Sequence, residues 1–210
     1  MPQILPMNRR RLLAGSLAAA ASLAAPRTVF AQPARPLWQR EILAIAQREV
    51  ARVRDELWQH DLAGIADFGL HSSLRRFHIV NLEDGAIRSL HVTHGLGSDR
   101  NNNGYLDKFS NVEGSLATSR GAYVTQENYA GRYGASMRLG GLDPSNFNAF
   151  DRAIVIHGAS YATPEHVARW GQLGRSHGCL AFGPEGLREA MGMLGGGRLI
   201  FADALRIATE

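Results

Sequence analysis

Beyond Gly64 the chain is divided into short apolar runs, most of which are bounded by Gly, Asn, Asp or Ser. Short runs that contain β-branched and aromatic residues are typical of β-strands. The sequence Leu82-Glu83-Asp84-Gly85, between the first two runs, is typical of a hairpin turn. The predicted strands cover residues 76–82, 89–94, 121–126, 137–139, 153–157 and 198–202. This pattern predicts a mainly β fold of the α+β class.

An amphipathic helix is predicted ahead of these strands, over residues 37–62. Its apolar residues recur at spacings of three and four, which places them on one helical face. They are Leu43, Ala46, Val50, Val53 and Leu57. Two shorter helices are predicted, one that begins with Thr163-Pro164 and one that runs over 184–194 and ends at three glycines. Neither alternates regularly with strands, which disfavours a doubly wound parallel sheet.

The charge of the chain is concentrated at its N-terminus. The sequence has 23 basic and 19 acidic residues, and residues 1–31 contain four arginines and no acid, which leaves the remainder neutral. Binding to a phosphate backbone requires a basic surface, so we expect no nucleic-acid partner. Residues 8–13 contain Arg9, Arg10 and Arg11, and an apolar run over 12–25 follows. This arrangement predicts an export signal of the twin-arginine type, with an amphipathic or membrane-anchoring N-terminus as the alternative.

Cys179 is the only cysteine of the chain, which excludes an intramolecular disulfide and a zinc site built from several cysteines. It follows Gly178 in the sequence Ser176-His177-Gly178-Cys179. A glycine beside a nucleophile lets a carbonyl approach the sulfur, while neighbouring backbone N–H groups can stabilise an oxyanion. A second segment, 154–158, is an apolar strand that ends in His-Gly. These two segments are the candidates for carrying the catalytic residues.

A free thiol with a pKa of about 8.5 is only about 3% ionised at neutral pH, whereas a neighbouring imidazolium favours the thiolate. His157 and His177 are both candidates for the base, and their spacing does not choose between them. The alternatives are a buried, inert cysteine with two structural histidines, or a zinc site formed by His94, His157, His177 and Cys179. The loop over 99–104 resembles half of a calcium loop, but Ser110 occupies the position of the required Glu, so we interpret it as an Asx-rich surface loop.

His157-Gly158, followed after 17 residues by Ser176-His177-Gly178-Cys179, resembles the active-site signature of L,D-transpeptidases, which cross-link bacterial peptidoglycan. The surrounding sequence is similar to the murein L,D-transpeptidase catalytic domain family in particular. The similar segments lie at 94–98, 109–111, 121–125, 138–142 and 156–161. The resemblance extends over about 65–202. It implies a β-sandwich or barrel core that carries the N-terminal helix and the short helices.

The resemblance also implies roles for individual residues. Cys179 would be the nucleophile and His157 the general base, the Gly158 carbonyl would orient the imidazole, and the N–H groups of Gly178 and Cys179 would form the oxyanion hole. His177, Ser176, Arg175 and Tyr161 are the candidates for substrate contacts. Many relatives have Arg two residues after the cysteine, where this chain has Ala181, and Arg175 is the candidate replacement.

The sequence therefore predicts an exported cysteine acyltransferase. We expect a signal peptide over 1–31, a helical segment that packs on the core over 32–63, and a catalytic domain over 64–210. The predicted partners are peptidoglycan stem peptides, and no cofactor, metal or stable membrane insertion is expected. The predicted location is the periplasm or cell wall. The alternatives are a hydrolase of the same stem peptides, acting as an L,D-carboxypeptidase or endopeptidase, and a wall-binding or metal-binding module without turnover.

Overall fold

The computed structural model describes residues 35–207, which form three helices and eight strands. In chain order they are α1 (Leu37–Arg52), β1 (Leu62–Asp67), β2 (Phe77–Asn81), β3 (Ile87–Leu90), β4 (Gly121–Gly131), β5 (Gly134–Gly141), β6 (Val155–Gly158), α2 (Pro164–Trp170), β7 (Leu180–Phe182), α3 (Pro184–Leu194) and β8 (Leu199–Asp203). Short 3₁₀ turns follow α1, at Arg54–Glu56, and β6, at Ser160–Ala162. The predicted α+β class is confirmed.

The strands form one mixed sheet in the order β3-β2-β1-β8-β4-β5-β6-β7. Only β1 with β8 and β6 with β7 pair in parallel. The two edges of the sheet meet, because the chain that follows β3 runs alongside β7. Thr93 N–H donates a hydrogen bond of 3.0 Å to the Ala181 carbonyl, and Gly95 forms a bridge with Ser176. These contacts close the sheet towards a barrel, as the resemblance implied.

Both faces of the sheet around β1 are buried, because alternate residues of a strand point to opposite faces. Ala63 and Ile65 belong to one apolar cluster, which also contains Ile42 and Ala46 of α1. Ala66 belongs to the second cluster, to which α3 contributes Ala190 and Leu194. The two clusters show that α1 covers one face of the sheet while α3 packs against the other.

The predicted N-terminal helix is confirmed, but it ends at Arg52 rather than at residue 62. Two interactions outside the helix explain the earlier end. Trp58 N–H donates to the Gly197 carbonyl at 2.9 Å, and Leu62 pairs with Asn81 as the first residue of β1. The apolar spacing continues to Leu57, which is buried in the same cluster without being helical.

The two shorter helices begin where the sequence predicted. Thr163 is the N-cap of α2, and its Oγ1 accepts a hydrogen bond of 3.2 Å from His166 N–H. Gly171 ends this helix with a positive φ of 76°, a conformation that glycine adopts without strain. The second helix, α3, runs from Pro184 to Leu194 and is followed by Gly195.

The predicted hairpin is confirmed by antiparallel pairing of β2 with β3, although β3 lies at Ile87–Leu90 rather than at 89–94. Two strands were not predicted. β1 is buried on both faces, so it lacks the polar alternation that marks a half-buried strand, and β7 has only three residues. No helix within 35–207 has the length and apolar character needed to cross a bilayer. The predicted signal over 1–31 lies outside the described residues.

Candidate active site

The parallel pairing of β6 with β7 brings the two candidate segments together. Ile156 lies opposite Leu180, and His157 lies opposite Ala181. Cys179 immediately precedes β7, and its sulfur lies 3.5 Å from the carbonyl oxygen of Ala153, in the chain that leads into β6. The fold thus brings side by side the two segments that carry His157 and Cys179, although these residues are 22 positions apart in the sequence.

The Cys179 side chain is largely enclosed, and the residue is 8% exposed. Its thiol donates to the Ala153 carbonyl with a sulfur-to-oxygen distance of 3.5 Å. Burial raises the pKa of the thiol, and three groups oppose this effect: the backbone N–H of Val155, the positive charge of Arg152 and the N–H of Cys179 itself. The expectation of a thiolate beside an imidazolium therefore needs correction, because burial favours the neutral thiol in this conformation.

The imidazole of His157 is 2% exposed and is held in one orientation. Its Nδ1 lies 3.0 Å from the Gly158 carbonyl oxygen. A carbonyl only accepts hydrogen bonds, so Nδ1 carries the proton and Nε2 keeps its lone pair. Burial lowers the pKa of His157, partly opposed by this hydrogen bond. The imidazole is therefore neutral near pH 7, with Nε2 able to accept a proton.

A tyrosine at the tip of the β4–β5 hairpin covers the histidine. The two-residue turn between Gly131 and Gly134 carries Tyr133, whose ring stacks on His157 with centroids 4.4 Å apart and planes at 23°. Tyr133 itself is 49% exposed, so it lies between the imidazole and solvent. The hairpin therefore limits the access of water to the candidate base.

The turn before Cys179 is held by Ser176. Its Oγ accepts a hydrogen bond of 3.1 Å from Gly178 N–H and donates one of 2.7 Å to the Cys179 carbonyl. Gly178 has a φ of +113°, and a Cβ there would lie 2.8 Å from the Ala117 carbonyl oxygen. Glycine is therefore required for both conformation and space. In this conformation the Gly178 N–H is engaged by Ser176.

The other predicted contact residues have different surroundings. His177 is exposed, whereas Ser176 is buried within the turn just described. The ring of Tyr161 packs over Gly174, and the pKa of Tyr161 is raised by burial and by the neighbouring Cys179 and Tyr133 groups. Arg175 donates to the Asp99 carbonyl. Of the four, Tyr161 is the side chain whose environment includes the thiol.

A cavity of about 350 Å³ is lined in part by Gly174 and Arg175. It contains the exposed indole of Trp170 and has Arg175 in its wall. The residues that line it include no Asp or Glu; they are Leu96, Asn102, His166, Trp170, Gln172, Leu173, Gly174 and Arg175. The absence of acids from this lining makes the cavity suitable for a group that bears a carboxylate.

His94 belongs to a buried polar network rather than to the thiol site. Its Nδ1 accepts from the fully buried Arg76 guanidinium at 2.7 Å, so Nε2 bears the proton and donates to Asp99 at 3.3 Å. Burial and the Arg76 charge lower the pKa of His94 to about 3. Both ring nitrogens are thus used within the protein, which argues against the zinc site considered from the sequence. Within residues 35–207, no group of three His, Cys, Asp or Glu side chains is placed to hold a metal ion.

The Asp99 carboxylate that binds His94 also accepts hydrogen bonds of 3.0 Å from the N–H groups of Asn103 and Gly104. This geometry supports an Asx-rich loop at 99–104. The preceding segment, which contains His94, is joined to the turn at 176–179 by two backbone hydrogen bonds: Ser176 N–H donates to the His94 carbonyl, and Leu96 N–H donates to the Ser176 carbonyl. The buried polar network therefore supports the backbone of the turn that carries Cys179.

Two residues near the site were not singled out from the sequence. Arg152 contributes a positive charge that lowers the pKa of Cys179, and Tyr133 stacks on His157. The Gly131-Arg132-Tyr133-Gly134 sequence carries a turn signal that could have located a hairpin tip. No comparable signal marks Arg152, because its position depends on how residues 110–119 fold back over it.

The protein is thus an α+β domain with a candidate thiol site, in which a buried cysteine and an oriented histidine lie on neighbouring segments. The family model described as the L,D-transpeptidase catalytic domain matches residues 36–202 of this chain. The chain therefore belongs to the L,D-transpeptidase catalytic domain family. No curated protein gives a significant match to the sequence.

The chain is also similar to solved structures, at low sequence identity. The L,D-transpeptidase from Mycobacterium smegmatis is 16% identical, with a TM-score of 0.41 over 69% of this chain and 59% of that chain. An L,D-transpeptidase from Stackebrandtia nassauensis is 15% identical, with a TM-score of 0.43 over 80% and 69%. The helical cell shape determining protein from Campylobacter jejuni is 16% identical, with a TM-score of 0.43 over 84% and 59%. This chain thus matches about three-fifths of the length of the first and third of these proteins.

Proposed function

We propose that this protein is an L,D-transpeptidase that acts on peptidoglycan stem peptides through a thioester on Cys179. The observation that carries the proposal is the parallel pairing of β6 with β7, because His157 lies in β6 and Cys179 immediately precedes β7. The hydrogen bond between His157 and the Gly158 carbonyl supports it, because it leaves Nε2 unprotonated and able to act as a base. Membership of the family supplies the reaction class.

In the proposed first step, the sulfur of Cys179 attacks the carbonyl at the L-centre of diaminopimelate while His157 Nε2 takes the thiol proton. Because burial disfavours both the thiolate and the imidazolium, we expect proton transfer to accompany attack rather than to precede it. The carbon–nitrogen bond then breaks, D-alanine leaves with the proton from His157, and the thioester remains. An amine of a second stem peptide attacks the thioester, its proton passes to His157 and then to sulfur, and the cross-link is released.

The proposed oxyanion hole consists of the backbone N–H groups of Gly178 and Cys179. In the described conformation Gly178 N–H donates to Ser176 Oγ. We therefore propose that this hydrogen bond is exchanged for one to the oxyanion as the intermediate forms. Catalytic hydrogen bonds commonly tighten only in the substrate complex.

For the substrate, we propose that the acid-free cavity beside Arg175 receives a carboxylate-bearing part of the stem peptide. Ala181 provides no guanidinium, and Arg175 is the cation in the cavity wall. Tyr161 and His177 are proposed to contact the peptide nearer the sulfur. Ser176 is proposed to act through the shape of the turn, because it is buried and both of its hydrogen bonds are internal.

We propose the periplasm or cell wall as the site of action, reached through an export signal over 1–31. The proposed division of the remaining chain is a helical segment over 32–63 and a catalytic domain over 64–210. This location agrees with a wall substrate and with a single thiol, which has no internal partner for oxidation.

Transfer is favoured over hydrolysis by one feature of the site. Tyr133 covers the base, so we propose that a water molecule has limited access to His157 for its activation. Hydrolysis would use the same thioester and give a trimmed monomer. The choice between the two reactions is therefore made by identifying the product.

The test is incubation of purified protein with a disaccharide-tetrapeptide, followed by mass spectrometry. We expect a dimer that has lost one D-alanine, and no product from Cys179→Ala or His157→Ala. His60→Ala, which changes a histidine bound only to the Arg54 carbonyl, is the matched control and should keep full activity. A trimmed monomer would replace the proposal with hydrolysis, and full activity of Cys179→Ala would refute the thioester mechanism.

A further inference from the structure

Arg152, between β5 and β6, ties the segment 110–119 to the chain that leads into β6. Its Nη1 donates to the Ser110 carbonyl at 2.7 Å and to Ser119 Oγ at 2.5 Å. Its Nη2 donates to Ser115 Oγ at 3.1 Å and to the Ala117 carbonyl at 2.6 Å. One guanidinium thus holds four oxygens that are distributed along the whole segment.

These hydrogen bonds exclude Arg152 as the group that grips a substrate carboxylate. A guanidinium has four terminal N–H groups and one on Nε, and a bidentate carboxylate needs two of them side by side. All four terminal N–H groups of Arg152 already have partners within the chain. The side chain is therefore engaged in holding the protein rather than left free for a ligand.

The positive charge of Arg152 is not neutralised locally. All four of its partners are uncharged oxygens, and no carboxylate of residues 35–207 forms a salt bridge with it. The ionisable groups whose charges interact with the sulfur are Arg152, Tyr123 and Tyr161. Arg152 is the permanent cation among them, and it lowers the pKa of Cys179 against the effect of burial.

Two sets of contacts connect Arg152 to the surroundings of Cys179. The Ala117 carbonyl that Arg152 binds is the atom that a Cβ on Gly178 would approach to 2.8 Å. The next residue, Ala153, has a φ of +52° and its carbonyl accepts the Cys179 thiol. A shift of Arg152 would therefore be transmitted to both sides of the sulfur.

We propose that Arg152 is a positioning residue that holds 110–119 against the turn at 176–179. Its charge stabilises the negative charge that develops on the sulfur of Cys179 during acyl transfer. The activity part of this proposal rests on the proposed function. The thiol part does not, because the chemical reactivity of Cys179 can be measured without a peptidoglycan substrate.

The experiment measures alkylation by iodoacetamide as a function of pH. Cys179 is the only cysteine in the sequence, so the label reports on this residue alone. The variants are Arg152→Gln, which removes the charge, and Arg152→Lys, which keeps it. Arg198→Gln is the matched control, because Arg198 also makes several hydrogen bonds but is paired with Asp61. Circular dichroism and thermal unfolding establish that each variant is folded.

At about pH 7 we expect Arg152→Gln to be alkylated about tenfold more slowly, which corresponds to a rise of about one unit in the thiol pKa. Arg152→Lys should be alkylated within about twofold of the wild-type rate. It should nevertheless show at least about tenfold lower kcat on stem peptides, because an ammonium cannot hold four oxygens in a planar fork. Arg198→Gln should match the wild type in both measurements.

Wild-type alkylation by folded Arg152→Gln would overturn the electrostatic role. If Arg152→Gln does not fold, a tenfold slower alkylation of Arg152→Lys would overturn the same role, since the charge is retained. Wild-type kcat of Arg152→Lys would overturn the positioning role. If the wild-type protein itself lacked turnover, the proposed function would fail while the alkylation profiles still tested the charge of Arg152.

Discussion

Replacement of Gly178 by alanine tests whether the turn at 176–179 needs its backbone conformation. The φ of +113° is one that L side chains rarely adopt, and a conformation of this kind costs about 1–3 kcal/mol for a residue other than glycine. The added Cβ would also lie 2.8 Å from the Ala117 carbonyl oxygen and 2.9 Å from Ile154 Cδ1. The carbonyl is fixed by its hydrogen bond to Arg152, so we expect the turn rather than the segment 110–119 to move.

The expected consequence is a loss of both stability and activity. For a protein of this size, a destabilisation of 1 kcal/mol lowers Tm by about 2–4 °C, so Gly178→Ala should lower Tm by several degrees. A misplacement of the sulfur by about 1 Å should reduce acyl transfer by about 100-fold. Thermal unfolding measures the first effect, and the rate of dimer formation from disaccharide-tetrapeptides measures the second.

Gly192→Ala is the matched control for this substitution. Gly192 lies within α3, and nothing stands within 4 Å of the position its Cβ would occupy. Because alanine favours a helix over glycine by about 1 kcal/mol, this variant should be slightly more stable and fully active. The reasoning would be refuted if Gly178→Ala kept the Tm and the turnover of the wild type.

Two further predictions concern the histidines. Tyr133→Ala should expose His157, raise the pKa of His157 towards 6.5 and increase the ratio of hydrolysis to transfer. Tyr105→Ala, which removes a similar contact with His71, is the control and should change neither the pKa of His157 nor the product ratio. An unchanged product ratio in Tyr133→Ala would count against a water-excluding hairpin. Burial lowers the pKa of His78 from 6.5 to about 4, so its contribution to stability is present above pH 6.5 and is lost as the pH falls. We expect His78 to account for about 2 kcal/mol of the stability lost between pH 7 and pH 5 in urea unfolding, so His78→Gln should lose about 2 kcal/mol less than the wild type over that range; equal losses in the two proteins would refute the assignment.

The charge state of the site shows a limit of sequence reasoning. Residues 176–179 and 157–158 identified the two segments that the fold brings together, because glycine and histidine next to a single cysteine form a local chemical pattern. The expected thiolate did not follow, since it assumed that only the neighbouring imidazole acts on the sulfur. Burial of Cys179 and His157 shifts both pKa values towards the neutral forms, and burial depends on the whole fold.

Local features of the sequence were sufficient to predict α1, the starts of α2 and α3, and the β2–β3 hairpin, because periodicity, caps and turns act over a few residues. Tertiary structure alone decided that α1 ends at Arg52, that β1 and β7 exist, and that the ends of the sheet meet at Thr93 and Ala181. It also placed Arg152 beside Cys179 and Tyr133 over His157. These features depend on hydrogen bonds and burial between segments far apart in the chain, for which a single sequence contains no periodic signal.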